Sequence, residues 1–433
     1  MPRLGSRGGV SGTRAPVAAT SAKRTAALPR HEFVAAGRPV SGHPATLTVG
    51  GVVGLHPELF VGLGNELTFF HRMLLADRHR TGAFVEALTQ QVRPGSRVID
   101  LGTGSGVLAV AAARAGALTV HAVEGSEMVE VAEESIPDGD RAVIQLVGLW
   151  SPHWEPPRPA DLLVSECLDH WAICPMLDEF LRVAKSWLIP GGVRIPRRIR
   201  LYVALLKAPE VRLAIGNTGD AGALLDTQAL ERRLFNSLYL IDAAPDDLLS
   251  EPVGVSAIDV GTDELASVAY QGAFRVTTGG LADGMVGWFE ADLSPSVLLS
   301  TAPGKPETVW RQVFFPFSQS VRIAPGDELQ FAVRAYRQIY GWSVSSGGRI
   351  GKVLARQSTL GSYPALRLPI QQDAALAYED VLLRVLRNGI PTTKADLATQ
   401  LSSAIPETNW SDQILGRMLR LLKELAPPWE APA

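Results

Sequence analysis

The spacing of apolar side chains changes character twice along this chain, and the two changes divide it. From about residue 55 to 92, Leu67, Phe70, Leu74 and Leu75, then Phe84, Leu88 and Val92, recur at three- and four-residue steps. That spacing lines one side of a helix, so the segment is predicted helical. Residues 97–124 then read as strand, glycine turn, helix, strand: 97–101, 102–106, 107–115 and 119–124. Residues 161–166 form a further apolar run closed by a carboxylate. Continuous apolar strands separated by helix predict a parallel sheet covered on both faces.

Beyond Pro190-Gly191-Gly192 the period shortens. Segments 193–206, 268–276, 285–293, 309–315 and 328–336 are short, β-rich and bounded by Gly, Pro and Asp. They predict a largely antiparallel β-domain. Residues 222–240 interrupt it with a helical pattern, and from about 372 the chain reads helical again, with Ile414, Leu415, Met418, Leu419 and Leu422 as one apolar stripe. The stretch 389–397 looks like a turn into a helix, with Thr392 or Thr393 as its cap and Asp396 near its start.

Composition narrows the class. With 46% hydrophobic and 20% charged residues and a net charge of −3, the chain is an ordinary globular protein with no field for nucleic acid or acidic membranes. Cys167 and Cys174 are its only cysteines, which excludes a disulfide scaffold or a Cys-rich zinc site and points to the cytoplasm. No apolar run reaches the roughly 18 residues of a membrane span. Residues 1–30 hold six basic and no acidic residues, with too little apolar content for an amphipathic targeting helix. A disordered tail is expected there, with a transit peptide as the alternative.

The candidate chemistry begins at Asp100-Leu101-Gly102-Thr103-Gly104-Ser105-Gly106, between a strand and a helix. Glycines there let the backbone turn sharply and approach a ligand. Glu124 ends the next strand, where a carboxylate can accept hydrogen bonds from both ribose hydroxyls. This spacing alone leaves nicotinamide dinucleotides and S-adenosylmethionine both open.

The flanking motifs separate them. His71-Arg72-Met73-Leu74-Leu75-Ala76-Asp77-Arg78-His79-Arg80-Thr81 resembles the helix that protein arginine methyltransferases fold over their cofactor. Ser165-Glu166, Trp187-Leu188 and Pro190-Gly191-Gly192 resemble their acceptor loop and sheet exit. Leu299 to Pro303 and Thr308 to Phe314 resemble their barrel segment with its Thr-His-Trp loop. The likeness runs in order from about 60 to 335. It implies an α/β fold: a Rossmann-like class I methyltransferase domain, a β-barrel-like domain, and here a small helical or winged-helix-like C-terminal module. The expected boundaries are 1–45 tail, 46–192 cofactor-binding domain, 193–365 β-domain with a helical insertion at about 216–245, and 366–433 helical module.

The resemblance also implies roles. S-adenosyl-L-methionine is the expected cofactor, held by His71, Arg80, Asp100, Gly102, Gly104 and Glu124, with Arg80 on the methionyl carboxylate and Glu124 on the ribose. The insertion, with Leu224, Leu225, Leu230, Leu234 and Phe235, corresponds to an arm that makes the family dimeric, so a homodimer is expected. Glu166 matches the first of two glutamates that clamp a guanidinium. The second falls at Cys174 or Pro175, neither acidic, and Val309 stands where the loop histidine belongs. Asp169, Asp178 or Glu179 could complete the clamp. Asp169-His170 offers a different device, a histidine with a carboxylate beside it, acting either as a general base or as loop structure. The expected activity is methylation of a side chain or polar group of a peptide, protein or natural product. An arginine methyltransferase with a rearranged clamp and a cofactor-binding pseudoenzyme are the alternatives.

Overall fold

The computed structural model describes residues 66–217, 219–222, 224–336, 339–347, 352–359, 385, 391, 393–404 and 412–424. The expected N-terminal tail, and the part of the first helical pattern before residue 66, lie outside the described residues.

The helical pattern resolves into two helices, α1 (Glu66–Ala76) and α2 (Arg78–Gln91). Asp77 separates them: its backbone is extended and its carboxylate accepts the Arg80 amide at 2.8 Å, capping α2. Helix α2 buries Phe84, Ala87 and Leu88 against the core.

The first sheet contains β1 (Arg97–Leu101), β2 (Thr119–Val123), β3 (Ile144–Val147), β4 (Ala160–Ser165) and β5 (Leu188–Ile195), connected by α3 (Val107–Arg114), α4 (Met128–Ser135) and α5 (Pro175–Ser186). Its order is β3-β2-β1-β4-β5, with every pairing parallel. The chain runs outward from β1 to β3 and returns to β4 on the other side of β1. That reversal opens a crevice at the carboxyl ends of β1 and β4, the usual ligand position in such sheets. Gly102 leaves β1 there, and Glu166 leaves β4.

The second half is antiparallel. One sheet runs β7-β12-β10-β6-β8, with β11 beside β10: β6 (Arg198–Leu206), β7 (Tyr239–Ile241), β8 (Val253–Asp259), β10 (Gly280–Asp292), β11 (Leu298–Ser300) and β12 (Gln312–Ile323). The other runs β15-β14-β13-β9: β9 (Ser267–Arg275), β13 (Glu328–Tyr336), β14 (Ile339–Ser346) and β15 (Val353–Ser358). Phe315 and Trp342 meet between the sheets edge to face at 5.6 Å.

One expectation needs correcting. The insertion at 216–245 is only partly helical: α6 (Pro209–Gly216), α7 (Gly219–Gly222) and α8 (Gln228–Leu234) are followed by β7. Tyr239, Leu240 and Ile241 are all buried and pair with Gln312 to Phe314, so burial on both faces overrides the local helical spacing. The β-domain continues past residue 340, where β14 pairs with Leu329 to Tyr336 of β13 and buries Tyr340 and Trp342.

Leu224 and Leu225 of the insertion are 86% and 75% exposed, while Phe235 is buried in the protein's own core. In the tail, α9 (Lys394–Ala404) and α10 (Asp412–Glu424) bury Leu397, Leu401, Leu415, Met418 and Leu422. The cap is Thr393, whose hydroxyl accepts the Asp396 amide at 3.1 Å and donates to the Asp396 carboxylate at 2.6 Å.

Candidate active site

Gly102 and Gly104 adopt φ of +73° and +55°, the left-handed region that favours glycine. A Cβ at Gly102 would stand 2.3 Å from the Cys167 sulfur, and one at Gly104 would stand 2.4 Å from the His71 ring. The bare turn therefore carries contacts from two distant segments, α1 and the loop after β4. Burial holds the His71 imidazole below its ordinary range, so the neutral ring is favoured.

Glu124 lies just past β2 and is buried. One carboxylate oxygen accepts the Gly104 amide at 2.9 Å, and the other accepts the Ser126 amide at 2.9 Å and hydroxyl at 2.7 Å. Asp100 sits within the core, accepting the Thr103 hydroxyl at 2.6 Å on one oxygen, while the other is unpartnered. Burial raises its carboxyl to about 7. Its visible work is to brace the glycine turn.

Arg80 is 5% exposed, which excludes an ordinary surface arginine. Its guanidinium donates to the Leu74 carbonyl at 3.1 Å and the Thr81 hydroxyl at 3.2 Å, and pairs with the Glu166 carboxylate. Its Nε has no partner. The Trp310 ring lies 5.8 Å from the guanidinium carbon, and burial lowers Arg80 to about 10. The residue expected on the cofactor side and the one expected on the acceptor side thus share one buried pair.

The loop from Glu166 to Cys174 is pinned from the β-domain. The Trp171 indole N–H points to the carbonyls of Trp288 at 3.1 Å and Tyr202 at 3.3 Å. The Tyr340 hydroxyl donates to Ile173 at 3.4 Å, and the Trp310 indole donates to Leu168 at 2.9 Å. Ala172 is buried at φ +59°, a conformation a side chain accepts only under such constraint. His170 is buried, with Nδ1 2.9 Å from the Trp310 carbonyl. A carbonyl only accepts, so Nδ1 carries the proton and Nε2 of the neutral ring keeps its lone pair. Nε2 is buried without a hydrogen-bond partner, 3.8 Å from an Asp169 oxygen that already accepts the His170 amide at 2.7 Å.

The other carboxylates considered for the clamp are engaged elsewhere. Glu179 holds Ser151 at 2.6 Å and Arg182 at 2.6 and 2.8 Å, and Asp178 accepts the Ala266 amide at 2.8 Å. Cys174 donates to the Cys167 carbonyl at 3.3 Å, and burial pushes its thiol well up. Two participants were not singled out by sequence reasoning. Asp77 accepts the Val309 amide at 2.8 Å with its second oxygen, so the backbone docks the β-domain loop where a histidine side chain is missing. Trp310 touches Arg80, His170 and Leu168 at once. The Asp-x-x-Arg spacing signals Asp77 as a cap; nothing local signals the contacts of Trp310.

Comparison with known proteins identifies the family. The profile described as ribosomal protein L11 methyltransferase (PrmA) matches residues 77–195, and that described as the arginine methyltransferase oligomerization subdomain matches 223–339. The chain is 31% identical over 285 residues to the arginine N(omega)-methyltransferase of Streptomyces achromogenes subsp. streptozoticus, covering 63% of this chain and 76% of that protein. It is 28% identical over 275 residues to protein arginine N-methyltransferase 6 of Xenopus tropicalis, covering 60% and 81%. The Trypanosoma brucei PRMT1 enzyme–prozyme heterotetramer, solved with AdoHcy, superposes with a TM-score of 0.59 at 19% identity, over 67% of this chain and 96% of that one. At that identity the likeness speaks for the fold.

Proposed function

The chain belongs to the arginine methyltransferase family, and on that premise we propose that it methylates a guanidine-type nitrogen on a peptide, protein or natural product. It is an S-adenosylmethionine-dependent methyltransferase. The residues present fit that cofactor: a glycine cradle that any side chain at Gly102 or Gly104 would fill, and a buried arginine with an orphaned Nε. Arg80 would hold the methionyl carboxylate through a charge-assisted pair, Glu124 the ribose, and His71 the wall beside the methionine moiety. When bound, the cofactor supplies a methyl group already activated on a sulfonium. What the protein adds is alignment and removal of water.

On the acceptor side, Glu166 would orient one nitrogen and His170 would take its proton at Nε2. The observation that carries this is the pinned tautomer of His170, whose Nδ1 proton is committed to Trp310 and whose Nε2 is buried and unpartnered. Asp169 beside it would stabilise the imidazolium that forms. A hydroxyl or amide acceptor is the second reading, favoured by Cys174 and Pro175, neither acidic, at the two positions where the family's second glutamate would fall.

Mass spectrometry of products from guanidine-bearing and hydroxyl-bearing acceptors tests both. His170→Ala should lower turnover by roughly 10²–10⁴, the worth of a positioned base, with S-adenosylhomocysteine affinity preserved. Glu166→Gln should damage the guanidine reaction most. Near-normal turnover in both variants would remove this loop from the chemistry.

Two further assignments belong to the same reading. A homodimer is supported by the match to an oligomerization subdomain and by exposed Leu224, Leu225 and Leu230, and sedimentation at micromolar concentration checks it. A cytoplasmic location is supported by the free thiols of Cys167 and Cys174. Among the described residues no helix is long and apolar enough to cross a membrane.

A further inference from the structure

Strand β3 ends beside the nucleotide-side carboxylate: the Glu124 amide donates to the Val147 carbonyl at 3.0 Å. Three residues later stands Trp150. A Cβ built on Gly125 would lie 2.1 Å from Trp150 Cδ2 and 2.5 Å from Cγ and Cε3. The indole therefore lies on the bare Cα of Gly125, in the space that a side chain at 125 would fill, one residue beyond Glu124. No other residue type at 125 permits that contact.

The indole is held there. The Trp150 carbonyl accepts the His153 amide at 2.9 Å, and the neighbouring Ser151 hydroxyl donates to buried Glu179 at 2.6 Å. Glu179 is in turn gripped by Arg182 at 2.8 Å, so the turn carrying Trp150 is fastened to α5. Trp150 nevertheless stays half-buried, whereas Trp187 is in the core, edge to face with Trp154 at 5.2 Å. A large aromatic ring at the sheet's carboxyl edge, only half-buried, suits a flat ligand.

We propose that the Trp150 indole is the platform on which the adenine ring of the cofactor stacks, making Trp150 a positioning residue for the methyl donor. The inference rests on the methyltransferase reading above. A nucleoside held by its ribose at Glu124 would bring its base within reach of the adjacent Gly125 and of the indole that covers it. Stacking on an aromatic side chain is tolerant of ring substituents and strong enough to set affinity.

The test uses the full-length protein, titrated with S-adenosylhomocysteine and separately with adenosine, by calorimetry and by tryptophan fluorescence. The wild type should show quenched emission with both ligands. Trp150→Leu should lose about 10- to 100-fold in affinity, by the same factor for both ligands, because the lost contact is to the base. Trp150→Phe should keep affinity within a few-fold and lose most of the quenching. With the methyl donor varied, the leucine variant should show a raised KM for it and, at saturation, little change in kcat. Unchanged affinity in Trp150→Leu overturns the proposal, and tighter binding overturns it too, by showing the indole to occupy the place of the base. If Trp150→Leu does not fold, the phenylalanine variant decides: quenching equal to wild type overturns the proposal. A wild type that fails to bind S-adenosylhomocysteine would instead sink the methyltransferase reading itself.

Discussion

The guanidinium of Arg80 and the carboxylate of Glu166 pair in a site where both side chains are at least nine-tenths buried, tying helix α2 to the loop after β4. Each charge is expected to meet a different ligand, Arg80 the cofactor and Glu166 the acceptor, and one buried pair joins them.

Breaking such a pair from one side leaves an uncompensated buried charge, so Arg80→Ala should destabilise the protein by about 3–5 kcal/mol. Adding Glu166→Gln should recover part of that loss, since the stranded anion is gone. Thermal unfolding of the two single variants and the double variant measures the coupling. Strictly additive losses would mean the two groups do not meet.

Asp100 carries a pH signature. Its folded carboxyl is raised to about 7 from 3.8, chiefly by burial, so between those values the folded state binds a proton that the unfolded state releases. The stability contributed by this group is therefore greatest below pH 4 and declines as pH rises toward 7, by up to a few kcal/mol. Asp100→Asn should remove that decline while keeping the Thr103 hydrogen bond. Denaturant unfolding of both proteins at pH 5 and pH 8 checks it: the asparagine variant should gain on the wild type at the higher pH. An equal difference at both pH values contradicts the raised carboxyl.

Gly102→Ala should both strain and crowd the turn, since φ is +73° and the new methyl meets the Cys167 sulfur at 2.3 Å. We expect a loss of roughly 1–3 kcal/mol in stability and at least a tenfold loss of S-adenosylhomocysteine affinity. Adding Cys167→Ala opens the space but not the backbone, so it should restore part of the stability. Full affinity in Gly102→Ala would show that the turn does not approach the ligand.

The cofactor half was legible because its information is local. The run from Arg97 to Val123 is read correctly as strand, turn, helix and strand, since hydrophobic period and glycine placement lie within a few residues of the conformations they determine. Arg80 was legible in the same way, whereas the cap that Asp77 forms three residues before it was not singled out, although the spacing signals it. Helix α4 and strand β3 escaped because β3 is four residues long and only half buried, too short to set a period. Residues 239–241 were misread because their strand exists only through pairing with β12, some seventy residues away.

The acceptor loop divides the same way. Its residue types are visible in the sequence: one glutamate kept, the second absent, an aspartate and histidine side by side. Their arrangement was decided by Trp288, Trp310 and Tyr340, which lie 117 to 167 residues beyond the loop positions they pin. Only those contacts place the His170 proton on Nδ1 and hold Ala172 in a left-handed turn. The sequence by itself determined that this chain has a glycine turn joining a strand to a helix and a glutamate, Glu166, just past a neighbouring strand, because adjacent residues encode them. The tertiary structure decided which carboxylates are occupied elsewhere and which nitrogen of His170 keeps its lone pair, because hydrogen-bond partners are assigned by packing across domains.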